Sequence, residues 1–150
     1  MAVIVNEALK DLVIINHDRY QGYKRAAEET EDADLRMMFT EWSTQSLGFA
    51  NELKKHVDAA DARDLDPDDT TVQGKLYRVY MDLKAAVLGR DRKAILSSCE
   101  YGDDAALKEY KEALDDVDGD YSSAVKMLIQ EQRNQIQQSH DRVKMMRDAA

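Results

Sequence analysis

Two carboxylates stand where a helix should be apolar. Around the stretch CEYGDDAALKEY, Cys99 to Tyr110, residues Leu96, Glu100, Asp103, Leu107, Tyr110, Leu114 and Val117 recur at alternating steps of four and three. That is the period of a helix stripe facing other helices. Glu100 and Asp103 are the misfits in it. At i and i+3 their side chains lean toward one point. Two acids that close and that buried must share a proton, find a basic partner or hold a cation between them.

The groups expected at the same depth are Asp18, Gln45 and His140, with Arg19 the one basic residue at neighbouring inner positions. Asp18, Glu100, Asp103 and His140 are therefore the candidate metal ligands, and Gln45 completes a polar cluster. Two readings compete. In the preferred one the acids form a proton-sharing buried network held by His140, Gln45, tyrosine hydroxyls, Arg19 or water, and no cofactor is bound. In the other they hold one metal ion: iron, manganese or zinc.

Motif spacing favours the network. A di-iron carboxylate bundle takes Glu from two helices and Glu-x-x-His from the other two. Here Glu52 to His56 is one residue too long, and Gln137-x-x-His140 has an amide in place of the carboxylate. His17 and His56 read as surface or helix-end residues. The stretch Asp116-Val-Asp118-Gly-Asp120 lacks the distal Glu of a calcium loop and reads as a turn. Cys99 has no basic neighbour in sequence and reads as packing rather than a nucleophile. No Ser/His/Asp arrangement, phosphate loop or dinucleotide fingerprint is present.

Long amphipathic helices must carry these groups. Apolar periodicity predicts helices over about 3–29, 33–60, 72–88, 92–116 and 122–147. Four of them match in length, at roughly 40 Å each for 1.5 Å per residue. Short turns at 31–33 and 118–120 make antiparallel hairpins of the first and last pairs. The segment of about 61–91, with Pro67, its own shorter helix and Gly89 as a C-terminal cap, is too long for a hairpin. It predicts a helical crossover that makes the second and third long helices parallel, in one domain over 1–150. Gly22 and Gly102, costly inside helices, are expected to make room for the indole of Trp42.

Composition bounds the rest. The chain has 150 residues, 43% hydrophobic and 34% charged, with one Pro and 6 Gly, a helical profile. Its net charge of −9 repels phosphate and argues against nucleic-acid partners. Val3, Ile4 and Val5 are too short a run for a signal peptide, and no apolar stretch could span a membrane. With a single cysteine, Cys99, an internal disulfide is excluded. A cytoplasmic location is expected.

Asp18-x-x-x-Gly22-Tyr23, Ala26-Ala27-Glu28, Phe49-Ala50-x-Glu52-Leu53, the run Tyr80 to Ala86, Cys99-Glu100-x-Gly102-x-Asp104-Ala105-Ala106-Leu107 and His140-Asp141-Arg142 together resemble a bacterial family of ferritin-like four-helix-bundle proteins, a domain of unknown function. The resemblance covers nearly the whole chain. It implies an all-α, ferritin-like four-helix bundle of two hairpins joined by the crossover, and a bacterial origin. It brings no activity or cofactor. The expected function is a non-enzymatic, stress-linked role through self-association, as a homo-oligomer such as a dimer, or through a protein partner. The alternative is a ferritin-like metal binder or oxidase with a degenerate carboxylate/His site.

Overall fold

The structure is a computed structural model, and it describes residues 2–66, 77–117 and 120–150. All its regular elements are helices: α1 (Ala2–Glu29), α2 (Ala33–Lys54), α3 (Ala59–Ala62), α4 (Tyr77–Gly89), α5 (Arg92–Val117) and α6 (Ser123–Ala149). Among the described residues, no helix is long and apolar enough to cross a membrane. Residues 72–76 of the expected crossover helix, Pro67, Asp118 and Gly119 lie outside the described residues.

Local chemistry sets the helix ends. Asp91 accepts from the backbone N–H of Lys93 and Ala94 at 3.1 and 3.3 Å, and Ser122 accepts from that of Val125 at 3.2 Å. Each satisfies donors left bare by a helix start. Asp32 sits at the N-cap position of α2 without a capping bond from its side chain. At the end of α4 the left-handed residue is Arg90 (φ 60°), one position beyond the Gly89 expected to cap it.

The second helix is shorter than its periodicity predicts, ending at Lys54 rather than near residue 60. Asn6 explains the difference. Its Oδ1 accepts from the backbone N–H of Asp58 at 2.8 Å, and its Nδ2 donates to Asp61 at 2.7 Å. A side chain of α1 thus takes a donor that a continuing helix would have kept.

Ion pairs at one end mark the helix directions. Arg92 at the start of α5 binds Asp34 at the start of α2 at 2.6 Å, and Arg90 binds Glu31 at 2.8 Å. α2 and α5 therefore start at the same end and run the same way. α4 packs against α1 and α5, burying Tyr80, Leu83 and Val87. The core centres on Tyr23, whose ring stacks on Phe39 at 5.8 Å and meets Trp42 and Tyr80 edge-on at 5.4 and 5.5 Å.

The two glycines do not serve Trp42 as expected. A Cβ at Gly22 would lie 2.3 Å from Cβ of Tyr80, and one at Gly102 would lie 3.1 Å from Cε1 of the same residue. Trp42 is buried all the same, but the glycines make room for Tyr80 of α4.

Candidate functional site

Four of the five sequence candidates divide between two places. Asp103 points into the core and Glu100 onto the α5–α6 seam, because i and i+3 side chains diverge by about 60° around a helix axis. Each finds a different partner there.

Asp103 is fully buried and pairs with the equally buried Arg19, Oδ1 to Nε at 3.1 Å. The same oxygen accepts from the Tyr23 hydroxyl at 3.0 Å. Arg19 also donates through Nη1 to Gln45 Oε1 and Ser46 Oγ, each at 2.8 Å. Gln45 continues to Gln135 on α6 at 3.5 Å. One guanidinium and one carboxylate thus tie together α1, α2 and α5, and Gln45 extends the network to α6. Buried ions cost several kcal/mol each unless paired and hydrogen-bonded. This pair is bonded through Arg19 Nε and Nη1 and Asp103 Oδ1, while Arg19 Nη2 and Asp103 Oδ2 are buried with no hydrogen-bond partner among the described residues.

Less than one turn back along α1, and two turns on along α5, the polar thread repeats without charge. Asn16 donates to the Tyr110 hydroxyl at 2.7 Å, which donates to Gln132 Oε1 at 2.7 Å, while Gln132 donates to the Phe49 carbonyl at 3.2 Å. Again α1, α5, α6 and α2 are joined in one chain of bonds. Asn16 and Gln132 both fall on inward stripes of the sequence, a signal that each would need a polar partner. Tyr110 supplies it.

The ionisation of this interior follows from burial and the central pair. Burial works against the charge of Arg19, but Asp103, with Tyr23 and Tyr80 beside it, outweighs that and holds the guanidinium protonated. Burial first, and the Asp103 charge second, push Tyr23, Tyr80 and the Cys99 thiol well above their usual ranges. The interior is therefore built to keep these hydroxyls and the thiol neutral. Cys99 is buried, in line with a packing role.

Glu100 sits in the second place, with Asp104 and His140. His140 Nε2 lies 2.8 Å from Asp104 Oδ1 and 4.0 Å from Glu100 Oε1. Its Nδ1 faces Asp141 Oδ1 at 3.2 Å, and that oxygen also accepts from Gln137 Nε2 at 3.0 Å. Arg147 holds the other oxygen of Glu100. His140 is thus bound to α5 through Glu100's neighbour Asp104 rather than through Asp103. Asp104, one turn beyond Glu100, is a partner the apolar stripe concealed because it stands outside that stripe.

Asp18 joins neither group. It is buried on α1, and its charge is felt at Tyr80 of α4. His17 is also buried, against the expectation of a surface position; α1 is packed on several sides, so its buried arc is wider than one stripe. His56 is exposed, as expected, and Glu52 pairs with Lys55 at 3.0 Å.

No curated protein and no solved structure matches the chain. The family model of a domain of unknown function, DUF2383, matches residues 4–116, from the first turn of α1 to the last of α5. It covers the Arg19–Asp103 pair and both carboxylates of the seam, and it stops before His140. With a match over most of its length, this chain belongs to the DUF2383 family.

Proposed function

We propose that this chain is a bacterial, cytoplasmic, ferritin-like four-helix-bundle protein that works without catalysis, by self-association into a homodimer. In this reading α1–α2 and α5–α6 are the two hairpins, and α4 is the crossover. The parallel starts of α2 and α5, held by the ion pairs of Arg92 and Arg90, support that topology.

The observation that carries the reading is how the buried charge is used. Arg19 and Asp103 bind each other and the side chains of neighbouring helices. Such a pair fixes which helix faces meet and at what register. The outer surface then supplies the contact. Met37 on α2, and Met127 and Met145 on α6, are each at least 68% exposed. Methionine is a favoured residue of adaptable binding surfaces. A net charge of −9 turns the same surface away from nucleic-acid phosphates.

Sedimentation velocity tests this on the full chain. The expected result is a dimer for the unchanged protein and a monomer for the M37E/M145E variant. An unchanged protein that stays monomeric at every concentration would contradict self-association.

A further inference from the structure

We propose that Glu100, Asp104 and His140 form a mononuclear site for a divalent transition-metal cation of the zinc type. It lies on the α5–α6 seam, apart from the buried pair, and does not depend on self-association. The ligand set differs from the one legible in the sequence. Asp104 replaces Asp103, and Asp18 takes no part.

The geometry comes close to what such an ion requires. One ligand atom from each of the three residues lies within 4.8 Å of the others. Tetrahedral zinc, with bonds of roughly 2.0–2.2 Å, places its ligand atoms about 3.4 Å apart. The closest pair here, His140 Nε2 and Asp104 Oδ1 at 2.8 Å, must open slightly, and Glu100 Oε1 at 4.0 Å must move in. Side-chain rotation covers both. The spacing i, i+4 on α5 keeps the two carboxylates on one face, and α6 brings the imidazole to it.

The imidazole is also aimed. Nδ1 faces Asp141, which Gln137 holds in turn. A proton on Nδ1 donated to Asp141 leaves the Nε2 lone pair directed at Asp104 and Glu100. This carboxylate–histidine arrangement sets tautomer and ring orientation in metal sites. Both ring nitrogens face carboxylate oxygens, Nε2 toward Asp104 and Nδ1 toward Asp141. A divalent cation would bind at the Nε2 lone pair between His140 and the two carboxylates of α5.

Charge and access agree. Glu100, Asp104 and Asp141 bring three negative charges, against Arg147 on Glu100. His140 and Glu100 side chains are 13% and 16% exposed, whereas Asp104 is 58% exposed. Two ligands are thus held in place and the third faces the solvent from which an ion enters. Three protein ligands leave a fourth position for water. The imidazole favours zinc and its neighbours over magnesium or calcium, which prefer oxygen alone.

The test uses the full chain, stripped of metal by a chelator and titrated with Zn2+. Metal analysis after dialysis should find one zinc per chain. In proton–nitrogen spectra of the unchanged protein, the His140 imidazole should shift to a metal-bound signature while His17 and His56 stay put. H140A and D104A should each weaken zinc binding by about tenfold or more, and D141N by about tenfold through lost orientation. H56A should leave binding unchanged. The proposal is overturned if no zinc is retained, if the ring that shifts is His17 or His56, or if H140A binds zinc as tightly as the unchanged chain. The spectra need no variant, so a substitution that fails to fold does not shield the proposal.

Discussion

A Cβ added to Gly22 would lie 2.3 Å from Cβ of Tyr80. Helix α4 therefore rests directly on the backbone of α1, in a space that only glycine leaves open. The obstructing atom belongs to the root of the Tyr80 side chain, so no rotation relieves the clash. G22A should destabilise the protein by about 3 kcal/mol, the upper end of typical overpacking costs. G102A should cost less, because its nearest neighbour is the ring edge of Tyr80 at 3.1 Å, which can tilt. Urea unfolding of the two variants would rank them, and equal losses would contradict this account of Tyr80.

Gly48 provides the opposite case. It is exposed within α2, and nothing lies within 4 Å of an added Cβ. G48A should stabilise the protein by about 0.5–1 kcal/mol through helix propensity alone. A higher denaturation midpoint with an unchanged slope would check it.

Burial raises Tyr23, Tyr80 and Tyr110 in the folded chain. A raised phenol keeps its proton in the fold when the unfolded chain has begun to lose it. Their contribution to stability is thus intact below about pH 10 and is lost as pH climbs beyond it. In an ultraviolet titration, at least these three of the seven tyrosines should ionise only together with unfolding. Smooth ionisation of all seven with the helices intact would contradict the buried interior.

Cys99 should be inert for the same reason. Burial, then the nearby Asp103 charge, raises its thiol, and thiolate is the reactive form. A thiol reagent should label the native protein only at the rate of global opening and label it at once in denaturant. Rapid labelling of the native chain would show that α5 is not packed as described.

Much of this was legible in the sequence, for identifiable reasons. Helical periodicity and short turns located α1, α2, α5 and α6, and the length of the 61–91 segment indicated parallel starts for α2 and α5. Arg19, Gln45 and Asp103 fell level because register across a tight turn is set by rise per residue. What escaped depends on angles around helices rather than depth along them. The stripe through Glu100 and Asp103 was drawn slightly off the true buried arc, which runs through Cys99, Gly102, Asp103 and Ala106. That small rotation moves Glu100 out to the seam and lets Asp104 reach His140. Nor could sequence tell which aromatic ring the glycines admit, since α4 enters the α1–α5 groove from outside the four long helices.

The Arg19–Asp103 pair is the centre of this account, and a double-mutant cycle tests it most directly. R19M and D103L should each cost about 3–5 kcal/mol in urea unfolding, because each leaves a buried charge alone. The R19M/D103L double variant, with no charge left to strand, should recover most of that loss, giving a strongly favourable coupling energy. Two single losses that simply add in the double variant would contradict the claim that this pair ties the helices together.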